Sequence, residues 1–157
     1  SLSKRSNLPG LRSGFVAGDA EIIKKFLLYR TYHGCAMPIP SQLASIAAWQ
    51  DEKHVEANRR LYRQKFDAVL AILGSRLTVQ KPEAGFYLWI YSPKLSDTDF
   101  AQQLFAQENV TVLPGSFIAR DTAEGNPGHH YLRLALVASL EQCIDAAERI
   151  KRFVDSL

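Results

Sequence analysis

Hydrophobic side chains recur at helical spacing in several stretches of the chain, and each stretch follows a residue that can cap a helix. Side-chain oxygens of Asp and Ser accept hydrogen bonds from the first free amides of a helix, so these residues mark helix starts. Apolar positions three or four residues apart then predict amphipathic helices packed on a core. The predicted starts are Asp19, Ser41, Asp51, Ser96 or Asp97, and Ser139.

The same pattern predicts where the helices end and which side chains face inward. The first helix is expected to end at Tyr29 or Arg30, before a loop over residues 31–40 that contains glycine and prolines. The third pattern ends at Gly74 and the fourth near Asn109. The predicted inward residues are, helix by helix, Ile22, Ile23, Phe26 and Leu27; Val55, Tyr62, Phe66, Val69 and Leu73; Phe100, Leu104 and Phe105; and Leu140, Ile144, Ala147, Val154 and Leu157.

Apolar runs bounded by turn residues predict short strands. The predicted strands are 12–17, 77–80, 86–91, 110–113 and 131–137. In the last of them, Leu132 and Leu134 share one face, whereas Arg133 lies on the other. An arginine in an apolar strand needs an anionic partner, because an unpaired buried charge is costly. The pattern leaves open whether that partner is an internal carboxylate or a bound anion.

Composition is that of a globular protein: 46% of the 157 residues are hydrophobic and 22% are charged. The net charge of +3 is dispersed along the chain, so we expect no nucleic-acid partner. No apolar run has the length of a membrane span, and Cys35 and Cys143 lack metal-ligand spacing. His129 and His130 lack carboxylate or thiol companions, so we expect no metal site. The predicted location is the cytoplasm.

The candidate chemistry lies in the first stretch, SLSKRSNLPGLRSGFVAGD. The amine of Lys4 is the type of group that condenses with an aldehyde, and small neighbours leave room for a planar ring. The hydroxyls of Ser1 and Ser3 and the guanidinium of Arg12 are donors suited to a phosphate. A lysine among serines is also common in solvated loops, so Lys4 alone leaves both interpretations open.

Three features of this stretch resemble the cofactor-lysine segment of class I pyridoxal-phosphate aminotransferases. They are Ser-x-Ser-Lys, an arginine eight residues after the lysine, and the run Gly-Phe-Val-Ala-Gly-Asp after that arginine. The resemblance implies an α/β fold, fold type I of the pyridoxal-phosphate transferases. Residues 1–50 would then be the end of the large cofactor-binding domain, 51–76 the interdomain helix, and 77–157 the small C-terminal α+β domain.

The resemblance also implies a role for each candidate site residue. Lys4 would hold pyridoxal 5′-phosphate and, once released by the substrate, move a proton at the substrate α-carbon. Arg12 would bind the cofactor phosphate, helped by Ser1, with Ser3 as a weaker cofactor-binding candidate. Arg133, in a Tyr-x-Arg-Leu setting, would bind the substrate α-carboxylate. Tyr32, in the 31–40 loop, would contribute to the active site of the other subunit of a homodimer, and Cys35 is expected to be inert.

The resemblance covers the whole chain and implies that it is the C-terminal part of such an enzyme. A glycine-rich phosphate loop and an acidic partner for the ring nitrogen would also be needed, and neither appears after Lys4. We therefore expect a missing N-terminal part to be its partner, and the isolated chain to be inactive.

The substrate interpretation depends on two further runs, FLLYRTYHG and AAWQDEKHV. They resemble bacterial succinyldiaminopimelate aminotransferases, which implies transfer of an amino group from glutamate in lysine biosynthesis. Two alternatives remain open at this stage. One is another enzyme of the fold, such as an aspartate-type aminotransferase, a β-lyase or an aminocyclopropane-carboxylate-synthase-like enzyme, and the other is the aminotransferase-like domain of a transcription regulator.

Overall fold

The computed structural model describes residues 1–34 and 36–157, and it divides them into two compact units, Ser1–Arg59 and Arg60–Leu157. Cys35, which we expected to be inert, lies outside the described residues. The helices are α1 Leu2–Arg5, α2 Ala20–His33, α3 Ile39–Gln50, α4 Lys53–Leu73, α5 Asp97–Glu108 and α6 Leu140–Asp155. The strands are β1 Thr78–Val79, β2 Tyr87–Tyr91, β3 Leu113–Pro114 and β4 Tyr131–Ala135.

The second unit contains a four-stranded antiparallel sheet in the order β1-β2-β4-β3. Because side chains alternate along a strand, Leu88 and Ile90 of β2 and Leu132 and Leu134 of β4 fall on one face and are buried. They form one core with the apolar faces of α4, α5 and α6. The helix residues of that core include Phe66, Val69, Leu73, Phe100, Leu104, Ala147, Ile150 and Phe153.

Local capping chemistry accounts for the helix boundaries that were predicted correctly. Asp19 accepts hydrogen bonds from the first amides of α2, and Ser96 accepts from the amide of Asp99 at the start of α5. Ser139 and Gln142 form a reciprocal capping box at the start of α6. The α5 helix ends as expected at Asn109, whose left-handed backbone conformation stops the helix.

The strand predicted over residues 12–17 was wrong. No described segment forms a sheet ladder with these residues, and Arg12 has a left-handed backbone conformation that a strand does not contain. The strand predicted over 110–113 is limited to Leu113 and Pro114, because only these residues pair with β4. Five residues expected to face inward are exposed: Ile22, Phe26 and Leu27 of α2, Phe105 of α5, and Leu157 beyond the end of α6.

The loop predicted over residues 31–40 is shorter than expected. The α2 helix continues through Tyr32 to His33, and α3 begins at Ile39 after Pro38 rather than after Ser41. Proline is compatible with the first turn of a helix, where the missing amide hydrogen would have no partner within the helix. The prolines at 38 and 40 therefore start this helix instead of forbidding it.

A buried carboxylate fixes the loop between β3 and β4. Asp97 is 2% exposed and accepts hydrogen bonds from the Ser116 amide at 2.9 Å, the Ser116 hydroxyl at 2.5 Å and the His130 amide at 3.4 Å. Gly115 packs so closely on Gly128 that a Cβ at either position would collide with the backbone of the other. The loop is therefore held both by its backbone contacts and by the first residue of α5.

Among the described residues, no helix has the length and apolar character needed to cross a bilayer.

Candidate active site

Lys4 lies on a single helical turn at the start of the first unit. In this turn, α1, the side chain of Leu2 is fully buried, whereas Lys4 is exposed and Ser3 is partly buried. Ser1 precedes the turn and is exposed. The buried leucine fixes the turn to the protein, whereas the Lys4 residue on the same turn is exposed.

Arg12 follows a 3₁₀ turn, Pro9–Leu11, and has the left-handed backbone angles φ 51° and ψ 36°. A non-glycine residue in this region is uncommon and is frequently found at binding sites. One guanidinium nitrogen, Nη1, donates to the carbonyl of Pro9 at 2.8 Å. Since an arginine has five N–H donors, this bond orients the exposed guanidinium and leaves donors for an anion.

The backbone brings the Lys4 turn and the Arg12 segment together. The amide of Leu2 donates to the carbonyl of Ser13 at 3.1 Å, and a Cβ at Gly14 would lie 3.0 Å from the Cβ of Ser1. Glycine at 14 therefore permits this close approach. Ser13 is 5% exposed, and its Oγ lies 2.8 Å from the Oγ of Ser45 in α3.

The groups on these two segments fit an aldehyde that also carries a phosphate. Lys4 contributes a primary amine, Ser1 and Ser3 contribute hydroxyls, and Arg12 contributes a guanidinium. An amine condenses with an aldehyde, while hydroxyl and guanidinium donors recognise phosphate oxygens. The donor set is thus chemically suited to pyridoxal phosphate.

Tyr32 belongs to the last turn of α2 and is 79% exposed. The neighbouring aromatic pair, Tyr29 and His33, is stacked with ring centroids 4.5 Å apart. Tyr32 lies on the same helix as these residues, not in the loop where we expected it. Its role toward a second subunit stays a prediction.

Arg133 lies in β4 of the second unit, on the face opposite Leu132 and Leu134, as the alternation predicts. Its guanidinium carbon lies 5.2 Å from the centre of the Tyr87 ring, and its backbone pairs with Trp89 on β2. No ion pair joins Arg133 to a carboxylate within residues 1–34 and 36–157. The described residues therefore provide no internal partner of the kind that the sequence left open.

The sheet face that carries Arg133 is aromatic. Trp89 and Tyr131 stack with ring centroids 5.4 Å apart, and Tyr91 packs against Tyr131. A cleft of about 600 Å³ lies along this face and is also lined by residues 78–84. An arginine held over an aromatic ring in this setting keeps its planar fork available for a carboxylate.

Sequence reasoning missed a network that follows Lys4 directly. Arg5 forms an ion pair with Glu52, and Ser6 Oγ lies 2.9 Å from Nε2 of His54. The other ring nitrogen of His54 lies 2.8 Å from the carboxylate of Asp51. The Asp51–His54 spacing was a usable signal, because side chains three residues apart can meet at the start of a helix.

Comparisons with known proteins agree on one family. The family model described as aminotransferase class I and II matches residues 1–150. A probable aminotransferase of Mycobacterium tuberculosis is 38% identical over 96% of this chain, which spans 34% of that protein.

Two solved structures are similar in both fold and sequence. An aminotransferase from Neisseria meningitidis, known from a crystal structure, is 59% identical with a TM-score of 0.93. The match covers 98% of this chain and 39% of the Neisseria chain. A probable N-succinyldiaminopimelate aminotransferase from Thermus thermophilus is 28% identical with a TM-score of 0.83. The match covers 97% of this chain and 40% of the Thermus chain. The chain thus spans well under half of the length of these proteins.

Proposed function

Since the chain belongs to the class I and II aminotransferase family, whose members depend on pyridoxal phosphate, we propose that it provides the cofactor lysine and substrate-binding residues of such an enzyme. The reaction is transfer of an amino group between an amino acid and a 2-oxo acid. The supporting observation is the Leu2–Ser13 backbone bond, which holds the Lys4 turn beside the Arg12 segment. An amine and a guanidinium on adjoining segments suit an aldehyde and its phosphate.

Each residue has a distinct task in this proposal. Bound pyridoxal phosphate supplies an aldehyde that condenses with amines and a ring that accepts electrons from the substrate α-carbon. Lys4 attaches the cofactor and, when displaced by the substrate amine, carries a proton to or from the α-carbon. Arg12 binds the phosphate through its remaining donors, with Ser1 and more weakly Ser3 assisting. Arg133 orients the substrate through its α-carboxylate.

The finer substrate proposal is N-succinyldiaminopimelate with glutamate and 2-oxoglutarate, in lysine biosynthesis. It is supported by the likeness to the Thermus protein and by the runs around residues 26–34 and 47–55. An aspartate-type aminotransferase or a β-lyase would share the lysine and both arginines, so product analysis with several amino acids distinguishes these enzymes. A cytoplasmic homodimer stays a prediction from the resemblance.

The test is covalent trapping in the full-length enzyme that contains this chain. Incubation with pyridoxal phosphate followed by borohydride should add a pyridoxyl mass to the peptide that contains Lys4. Lys4→Ala should abolish both the label and transamination, because no other amine would occupy that position. Lys24→Ala removes an exposed lysine of α2 and serves as the control. A label found only elsewhere, or a Lys4→Ala variant with wild-type turnover, would refute the assignment.

A further inference from the structure

The residues that follow Lys4 are held by segment 48–58 of the first unit, which comprises the end of α3, the short connection and the start of α4. We propose that this segment positions Lys4 for its reaction, with His54 as the central positioning residue. The proposal rests on the function proposed above for Lys4. It concerns Arg5, Ser6 and the residues of the 48–58 segment that they contact, all within the first unit.

Arg5 makes the first part of this attachment. Its Nη1 donates to the carbonyl of Ala48 at 2.8 Å, its Nη2 pairs with Glu52, and its guanidinium carbon lies 4.6 Å from the centre of a Trp49 ring. Carbonyls in the last turn of a helix have no partner within the helix and attract cations. Ala48 lies in the last turn of α3, so Arg5 completes the end of that helix.

His54 makes the second part through a chain of hydrogen bonds. Asp51 accepts from the amide of Lys53 at 2.9 Å and lies 2.8 Å from Nδ1 of His54, so one carboxylate fixes both the start of α4 and the ring. The hydrogen bond with His54 lowers the pKa of Asp51, and an ionised carboxylate favours the proton on Nδ1. In the neutral ring, Nε2 can then accept the proton of the Ser6 hydroxyl at 2.9 Å.

The hydrogen bond from Arg5 to Ser6 is consistent with a Ser6 hydroxyl that donates its proton to His54. Arg5 Nη1 donates to Ser6 Oγ at 3.2 Å, so the hydroxyl accepts from arginine and donates to histidine. If His54 takes up a second proton, Nε2 becomes the donor and Ser6 Oγ can accept it on its second lone pair. The connection from Ser6 to Asp51 therefore persists in both protonation states of the ring.

Ser6 connects His54 to the turn that carries Lys4 through its backbone amide. The Ser6 amide donates to the carbonyl of Leu2 at 3.1 Å, and the Leu8 amide donates to the same carbonyl at 3.2 Å. Leu2 is fully buried, so the turn is fixed by its apolar side chain at one end and by Arg5 and Ser6 at the other. Lys4 lies between these two points, and precise placement of a reacting amine strongly affects its rate.

The test compares His54→Ala, His54→Gln, Ser6→Ala and the Ser6→Ala/His54→Ala double variant in the full-length enzyme. His129→Ala is the control, because it removes an exposed histidine from a loop of the second unit. Hydrogen exchange of the Leu2, Ser6 and Leu8 amides is followed without cofactor. The rate of cofactor trapping at Lys4, kcat and KM are then measured with it.

We expect His54→Ala to speed exchange at these amides about tenfold, the effect of losing about one net hydrogen bond. Trapping at Lys4 and kcat should fall about tenfold, with KM for the amino donor nearly unchanged, because misplacement affects the reacting amine. Glutamine should restore part of the loss, since its terminal amide can reach Ser6. The double variant should be no worse than the worse single variant, because both residues act in one chain.

Unchanged exchange at the three amides in His54→Ala would overturn the proposal, as would an equal increase throughout α6, which would indicate general destabilisation. A Ser–His–Asp chain also occurs in serine hydrolases, so covalent labelling of Ser6 by a fluorophosphonate would overturn the positioning role. If Lys4 of the wild-type enzyme takes no cofactor label, the proposed function and the role toward Lys4 both fail. Amide exchange in the variants still decides separately whether segment 48–58 holds the turn.

Discussion

Arg133 is proposed as a substrate-binding residue because the described residues form no ion pair with it. Its strand neighbours Leu132 and Leu134 are buried, and the guanidinium lies over the ring of Tyr87. The seven ion pairs among the described residues do not include it. An arginine held in this way can donate to a bound carboxylate, because no ion pair among the described residues occupies it.

Replacing this arginine should therefore damage substrate binding more than folding. A hydrogen-bonded pair involving charged groups contributes about 1.5–3 kcal/mol, so Arg133→Ala should lower kcat/KM of the amino-acid half-reaction at least tenfold. Arg133→Lys should retain only part of the activity, because lysine keeps the charge without the planar fork. Single-turnover kinetics of the full-length enzyme measure both effects.

Cofactor affinity and the unfolding midpoint should hardly change in either variant. Arg120→Ala, which removes an exposed arginine from the same unit, is the matched control. Loss of folding without a specific kinetic defect would instead favour a structural role for Arg133.

At the scale of elements, Asp97 links the start of α5 to the loop before β4. Burial raises the pKa of this carboxyl, but the hydrogen bonds donated by Ser116 and the His130 amide outweigh burial, so the pKa lies below its ordinary value. The folded protein therefore favours the ionised form. Its contribution to stability is present above the unfolded pKa of about 3.9 and is lost as the pH falls through the lower folded pKa.

Asp97→Asn should lower the free energy of unfolding at neutral pH by about 1–3 kcal/mol, because buried donors would face a poorer acceptor. The difference from wild type should shrink as the pH falls from the unfolded pKa of about 3.9 through the lower folded pKa of Asp97, where the wild-type carboxylate is also neutralised. Urea unfolding of the full-length enzyme at several pH values measures this. Asp99→Asn, an exposed carboxylate in the same turn of α5, should have a small effect, and an equal effect would contradict the assignment.

Elements with local signals were predictable from the sequence. The α6 capping box, the Ser96 cap of α5 and the alternation in β4 each involve residues close together in the chain. Residues 12–17 were mispredicted because their composition suits a strand, but a strand exists only where another segment pairs with it. The start of α3 was missed because prolines can either break a helix or begin one.

The part of the candidate site that lies on one contiguous motif was predictable, whereas the contacts that depend on the fold were not. The motif around Lys4 and Arg12 is short and contiguous, so its likeness to a known segment could be read directly. The contact between Ser6 and His54 joins residues 48 positions apart and leaves no periodic trace in the sequence. Only the fold brings that pair together.

At the scale of the whole molecule, the first unit differs from the second in how much apolar surface it leaves exposed. Its buried apolar side chains among the described residues are Leu2 and Val55. A cleft of about 500 Å³ is lined by residues of the 14–16 segment and of α2. The exposed large apolar side chains of this unit include Phe15, Val16, Ile22, Leu27, Leu28, Tyr32, Ile39, Leu43 and Ile46.

The isolated 157-residue polypeptide should therefore associate or precipitate, because large exposed apolar patches promote aggregation. It should also fail to catalyse transamination with glutamate and a 2-oxo acid when pyridoxal phosphate is added. Size-exclusion chromatography and a turnover assay on the purified polypeptide check both expectations. Sustained turnover by a preparation free of any other chain would contradict them, and the full-length enzyme is the positive control.

The two tryptophans of the sequence fall one in each unit, Trp49 beside Arg5 and Phe15, and Trp89 stacked on Tyr131. These 157 residues therefore contain one tryptophan fluorophore in each unit. Within them, phenylalanine at one of the two positions leaves the other as the single source of tryptophan emission, so events in either unit can be followed by light without an attached dye. Trp49 touches the arginine next to Lys4, which makes it an optical reporter at the candidate site itself.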